Sequence, residues 1–193
     1  MNMLNFRRLP TLAGSIAITV TAVSSSMPVS YAETTHGLPG EMLVFARPSG
    51  AFYLGHVGWG YQTDRFPSRY CVGAVENPGG RAVVAAQADI GYWQRCNLDY
   101  YEMLQEMRNR GYVAGEWFAV GRSYPLQAAT FANGVVRTRG YKVSGLNCAN
   151  ATWDIAREYG VSSDNLPLLQ LLPAPNLWYA ALSVGFGWQP EAL

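Results

Sequence analysis

The clearest periodic pattern in the chain spans residues 147–160. Side chains of the kind found in protein cores recur there with the spacing of a single helical face, at Cys148, Thr152, Ile155, Ala156 and Tyr159. Asn147 precedes the pattern as a suitable N-cap, and Gly160 follows it as a suitable C-terminal stop. The pattern therefore predicts a helix whose first turn carries Cys148 on its buried face.

Shorter runs of apolar or alternating residues predict strands in the first half of the chain. These runs are residues 42–46, 52–62, 70–76 and 81–86. Pro, Ser, Gly and Asn residues at 48–50 and 77–80 are typical of the turns that join neighbouring strands. We expect these segments to form an antiparallel meander.

The second predicted strand contains a histidine with unusual neighbours. Alternation places Val57 and Trp59 on one face of the strand, whereas His56 shares the other face with two glycines, Gly58 and Gly60. Glycines weaken a strand and pack little, which makes sense where a ligand or another backbone approaches closely. We therefore favour a functional His56 over a core histidine that is satisfied by a carbonyl group.

A second amphipathic helix is predicted over residues 98–110. Asn97 is suited to cap it and Gly111 to end it. The helical period turns three side chains inward: Tyr101, Leu104 and Met107. We expect this helix to pack against the sheet through that face.

The remaining elements alternate between strand and helix. Residues 112–120 predict a strand with apolar side chains on both faces, and Pro125 opens a helix that extends to about residue 137. The tail, residues 161–193, is rich in Leu, Pro and Trp. We expect it to cover the sheet, with a short final helix over residues 176–182, so the whole fold belongs to the α+β class.

Residues 1–32 have the composition of a secretory signal peptide. An arginine pair forms the charged start, residues 12–23 form an apolar run, and residues 30–32 (Ser-Tyr-Ala) resemble a cleavage site. The apolar run is short against the roughly 20 residues that span a bilayer. We expect a secreted, extracellular protein without a stable membrane anchor after cleavage, and a single domain over residues 33–193.

The charge balance and the ligand-forming residues exclude several function classes. Without the arginine pair, Lys and Arg fall from 14 to 12 against 13 Asp and Glu, so nucleic acid or an anionic membrane is not expected as the main partner. His36 is expected at the surface, which leaves His56 as the one histidine of the fold. No zinc-ligand spacing or phosphate-binding glycine motif occurs, so we expect neither a metal nor a cofactor.

Three cysteines in an exported chain most simply form one disulfide and leave one thiol. Cys71 and Cys96 bracket a short segment, and we favour their pairing. A disulfide from Cys148 to either of them is the alternative, because spacing alone does not determine connectivity. The preferred pairing leaves Cys148 as the free thiol.

A free Cys148 at the start of a helix has the setting of a nucleophile. The N-terminus of a helix carries partial positive charge and free N–H groups, which favour a thiolate and can hold an oxyanion. The simpler alternative is a small, inert core cysteine, which is a common role for this residue.

The order of these features resembles the circularly permuted branch of NlpC-like, papain-fold cysteine hydrolases, which also includes lecithin:retinol acyltransferase-like enzymes. The resemblance rests on the histidine at residues 55–58 (Gly-His-Val-Gly), on the carboxylate at residues 75–78 (Val-Glu-Asn-Pro), and on the Asn-Cys pair at residues 147–148. It covers residues from about 42 to 160. The fold it implies is a permuted papain-like one, with an antiparallel sheet packed against the helix that bears the cysteine.

The resemblance also implies roles for individual residues. Cys148 would be the nucleophile, His56 the general base, and Glu76 the group that orients the imidazole, with Asn77 as the alternative. Glu76 could instead be a solvated strand end. Asn147 would support the site as the helix cap.

Two departures from the acyltransferase-like pattern affect the expected activity. Those enzymes carry a second histidine at the position of Glu76, and an Asn-Cys-Glu-His run where this chain has Asn-Cys-Ala-Asn at residues 147–150. We therefore expect a secreted cysteine amidase or endopeptidase that acts on a peptide or amide substrate such as cell-wall peptidoglycan. An inactive binding module of the same fold and a secreted effector or toxin hydrolase are the alternatives.

Overall fold

The structure is a computed structural model, and it describes residues 33–49, 54–76, 91–139, 141 and 146–193. All of these residues belong to one compact unit, Tyr31–Leu193. Three predicted segments lie outside the described residues: the signal peptide, the turn at 77–80, which includes Asn77, and the strand at 81–86.

Within the described residues, seven strands form one sheet with antiparallel pairing. The order is β5-β4-β3-β2-β6-β7, and the short β1 pairs with the far end of β3. The strands are β1 (Glu33–Thr34), β2 (Gly40–Arg47), β3 (His56–Phe66), β4 (Ser68–Val75), β5 (Tyr92–Leu98), β6 (Ala114–Val120) and β7 (Gln189–Glu191). The predicted strands at 42–46, 52–62, 70–76 and 112–120 correspond to β2, β3, β4 and β6.

Helices pack on both faces of this sheet. They are α1 (Tyr100–Asn109), α2 (Pro125–Phe131), α3 (Arg137–Arg139), α4 (Cys148–Tyr159) and α5 (Pro175–Gly185), with a π-helical segment (Ala132–Val136) that joins α2 to α3. None of the helices in the described ranges is long and apolar enough to cross a membrane. The architecture is therefore α+β, as the sequence predicts.

Two hydrophobic cores occupy the two faces of the sheet. The larger core joins Val57 and Trp59 of β3 to residues of α4 and α5, including Ile155 and Trp178. The smaller core packs α1 and Tyr112 against the opposite face. We call the two sides the α4 face and the α1 face. Alternation along β3 assigns Val57 to the first and Gly58 to the second, as expected from the sequence.

The cysteine helix forms as its local signals predict. The side-chain oxygen of Asn147 accepts hydrogen bonds from the backbone N–H groups of Ala149 at 2.9 Å and Asn150 at 3.2 Å. Gly160 ends the helix with a φ of +118°, a conformation that other residues rarely adopt. Between these caps, the side chains that the sequence predicts on one helical face are buried: Cys148, Thr152, Ile155, Ala156 and Tyr159.

The predicted boundaries of the helix at 98–110 are wrong by two residues at its start. Leu98 ends β5, and α1 begins at Tyr100 with Asp99 as its N-cap. Asp99 forms a reciprocal capping box with Glu102, an arrangement that Asn97 does not make for this helix. The predicted inward face is also partly wrong, because Leu104 and Met107 are buried with Met103, whereas Tyr101 is 82% exposed.

The tail does more than cover the sheet. Pro175 begins α5, because proline fits the first turn of a helix, and the helix extends beyond the predicted 176–182. The chain then adds β7 to the sheet, where Gln189 pairs with Trp117 of β6. The tail therefore covers the α4 face and also extends the sheet edge.

Candidate functional site

Cys148 is the first residue of α4 and is fully buried. Backbone N–H groups of Val57, Ala149 and Cys148 itself face its sulfur and favour the charged form. Burial raises the pKa of the thiol to about 11, although these N–H groups and the positive charge of Arg47 act in the opposite direction. Cys148 is therefore a neutral thiol near pH 7, whose sulfur already faces three backbone N–H groups.

His56 is the first residue of β3 and directly precedes the Val57 N–H that reaches the sulfur. Its side chain is 2% exposed, and its Nε2 atom has no hydrogen-bond partner among the described residues. Burial first, and then the positive charge of Arg47, lower the pKa of the imidazole to about 3. His56 is therefore a neutral, buried base.

The two residues lie at the same end of β3 but on different faces of the sheet. The Cys148 side chain belongs to the core of the α4 face. The His56 ring shares the α1 face with Gly58 and contacts the ring of Tyr112, with the two centroids 5.8 Å apart. The structure thus brings the cysteine next to the backbone of the histidine, while the imidazole ring packs on the other side.

Glu76 follows β4 and is bound by two other side chains. Its Oε1 accepts a hydrogen bond of 3.0 Å from Trp93 Nε1, and its Oε2 lies 3.6 Å from the Arg47 guanidinium. The glutamate side chain is 25% exposed. Its described contacts therefore connect it to Arg47 and Trp93 on the edge of the α1 face.

The site includes two residues that the sequence interpretation missed, Arg47 and Tyr112. Arg47 ends β2 directly opposite His56, donates a hydrogen bond of 2.9 Å to the Arg110 carbonyl, and lies 5.6 Å from the centre of the Tyr112 ring. An arginine that ends an apolar strand is a weak signal for a site. The pairing register, which places it beside His56, is not visible in local sequence.

The disulfide between Cys71 and Cys96 forms as predicted. It joins β4 to β5 where their register shifts, between the pairs Tyr70–Leu98 and Val72–Arg95. Cys148 is the free cysteine of the chain. The alternative pairing, which would have removed the thiol, does not occur.

Comparisons with family models, curated proteins and solved structures find no match to this chain. Across the described ranges, no group of three His, Cys, Asp or Glu side chains has an arrangement suited to a metal ion. The chemistry open to the site is therefore argued from Cys148, His56 and the groups around them.

Proposed function

We propose that this protein is a secreted cysteine amidase or endopeptidase, similar in fold and chemistry to the permuted NlpC-like hydrolases. The single observation that carries this proposal is the position of Cys148. It is an unpaired thiol at the first turn of a capped helix, backbone N–H groups face its sulfur, and it lies beside the strand that begins with a buried histidine. The predicted signal peptide and the disulfide support secretion.

The proposed reaction starts from neutral Cys148 and neutral His56. The sulfur attacks the carbonyl carbon of the scissile amide while His56 takes the thiol proton on Nδ1, the ring nitrogen nearer the backbone. The backbone N–H of Cys148 is a candidate donor to the resulting oxyanion. When the C–N bond breaks, His56 returns the proton to the leaving amine, and a thioester remains on the sulfur.

Hydrolysis of the thioester completes the cycle by the same route. His56 removes a proton from water as the water oxygen attacks the thioester carbonyl. When the C–S bond breaks, the proton passes from His56 to the sulfur, and the carboxylic acid product leaves. The buried imidazole is unprotonated throughout the neutral range, but with a pKa of about 3 it is a weak proton acceptor. The imidazolium formed in this step must therefore be stabilised by the groups around it.

Full burial of the Cys148 sulfur favours a second candidate. In a binding module of the same fold, Cys148 would be a small core side chain, and no substrate would reach it. A secreted effector or toxin would keep the proposed chemistry and differ only in the cell that it attacks. The first test must therefore separate a reactive thiol from a structural one.

The test is an amide-cleavage assay with purified peptidoglycan peptides and with simple dipeptide amides. We expect the wild-type chain to release new amino groups, and Cys148→Ala to reduce the rate at least 100-fold because the nucleophile is lost. Exposed His36 provides the matched control, since His36→Gln should retain full activity. Equal rates for wild type and Cys148→Ala on every substrate cleaved would exclude the proposed thiol mechanism. Absence of cleavage together with peptide binding would favour the binding module.

A further inference from the structure

The space beside Gly58 on β3 is occupied by a tyrosine. A Cβ atom added to Gly58 would lie 3.0 Å from the Tyr112 hydroxyl oxygen and 3.1 Å from the Met107 methyl group. It would also lie 2.8 Å from the Gly73 carbonyl oxygen. The phenol of Tyr112 therefore occupies the space that a side chain at position 58 would take, on the α1 face next to His56.

Tyr112 and His56 each carry a buried polar atom without a partner. The tyrosine is 2% exposed, and its hydroxyl has no hydrogen-bond partner among the described residues, as is also true of His56 Nε2. The two rings are in contact at an interplanar angle of 47°. Buried polar groups are usually satisfied, so two unsatisfied groups on touching rings require an explanation.

A charged pair lies near the tyrosine. The Arg47 guanidinium is 3.6 Å from the Glu76 carboxylate and 5.6 Å from the centre of the phenol ring. Burial raises the pKa of Tyr112 well above its usual value, and Glu76 and Cys148 add to this effect. The phenol therefore stays protonated at every pH of interest and can act as a neutral hydrogen-bonding group.

We propose that Tyr112 is the positioning residue of His56, the role that the family resemblance gives to Glu76. When His56 takes the Cys148 proton on one ring nitrogen, its Nε2–H is donated to the Tyr112 hydroxyl oxygen, which keeps its own proton. The imidazolium is thus formed with a partner for its buried N–H. When the proton passes to the leaving group, His56 returns to its neutral form. This inference rests on the proposed function.

The experiment measures iodoacetamide alkylation of Cys148 in the intact chain from pH 5 to pH 9, followed by peptide mass mapping without reductant. A lone thiol with a pKa of about 11 reacts tenfold faster for each pH unit in this range. Assistance by a histidine with a pKa of about 3 adds a rate that does not change with pH, because thiol and base are both neutral throughout. The wild type is expected to show this plateau.

Three variants identify the groups that create the plateau. His56→Gln should lower it at least 100-fold. Tyr112→Phe removes only the hydroxyl and should lower it about tenfold, while the rate that rises with pH stays unchanged. Tyr61→Phe is the matched control. Tyr61 lies on β3 with His56, and its buried hydroxyl in the α4-face core has no hydrogen-bond partner in the part of the chain that the structure describes. This variant should leave both rates unchanged.

The outcomes separate the two proposals. A plateau that His56→Gln removes and Tyr112→Phe leaves intact overturns the role of Tyr112 alone. A wild type without a plateau overturns the Cys148–His56 pair and the role of Tyr112 together. Equal plateau losses in Tyr112→Phe and Tyr61→Phe mean that any buried hydroxyl matters for packing, which also overturns the specific role.

Discussion

At the scale of single residues, the fold stabilises the uncharged forms of both candidate catalytic groups. The pKa of Cys148 is raised and that of His56 is lowered, chiefly by burial in each case. A preformed thiolate–imidazolium pair is therefore disfavoured at rest. The thiol proton must move during the attack on substrate, as it does in serine hydrolases.

The lowered pKa of the buried His56 imidazole predicts how the free energy of unfolding depends on pH. The unfolded chain binds a proton at His56 below about pH 6.5, whereas the folded chain binds it only below about pH 3. Stability from this residue is therefore complete above pH 6.5 and is lost as the pH falls from 6.5 toward 3, by about 1.4 kcal/mol per pH unit. Urea unfolding at about pH 7.5, 6.5, 5.5 and 4.5, roughly one unit apart, measures this change in the free energy of unfolding.

Two variants complete that measurement. His56→Gln should reduce the pH dependence of the free energy of unfolding in this window, because the titrating group is gone. His36→Gln should keep the wild-type dependence, since His36 is exposed. Identical slopes for wild type and His56→Gln would contradict a strongly lowered pKa.

The residue scale also shows what sequence can and cannot reveal about the site. The alternation of β3 places two glycines on the face of His56, which indicates room beside the imidazole. The sequence suggested a ligand or a backbone in that space, whereas the structure places the Tyr112 phenol there. The contact depends on how α1 returns the chain to β6, more than 50 residues beyond His56, and local pattern carries no information on it.

At the scale of elements, predictions succeeded where the stabilising contacts are local. The hydrogen bonds that cap α4 all lie within three residues of Asn147, so the local sequence was enough to predict where this helix begins. The local sequence was not enough to predict where α1 begins, because Asn97 and Asp99 are both suitable caps. The pairing of β5 with β4 decides between them. Asn97 belongs to β5 and lies at the register shift with a φ of +61°, so it does not cap the helix.

The α4 cap leads to a second stability prediction. Asn147→Ala removes the oxygen that accepts from the Ala149 and Asn150 N–H groups, and should lower the free energy of unfolding by about 1 kcal/mol. Asn147→Asp keeps an acceptor at the helix start and should be close to wild type. Urea unfolding checks both. A fully stable Asn147→Ala variant would show that tertiary packing alone fixes the start of α4.

At the scale of the whole molecule, the Cys71–Cys96 disulfide restrains the unfolded chain. It links residues 25 positions apart, and closing a loop of this length lowers the entropy of the unfolded state by an amount equivalent to about 3 kcal/mol. The double variant Cys71→Ser, Cys96→Ser should therefore lose up to about 3 kcal/mol of unfolding free energy, seen as a lower urea midpoint. Dithiothreitol should shift the wild-type midpoint in the same direction.

The free cysteine provides the control for this last measurement. Cys148→Ala removes a thiol without opening a loop, so its urea midpoint should not respond to dithiothreitol beyond the shift seen in the wild type. In the double serine variant, dithiothreitol should have no effect, because no disulfide remains to be reduced. A variant without the disulfide that matched the oxidised wild type would show that β4 and β5 are held by their pairing alone. The loop-closure contribution would then be absent.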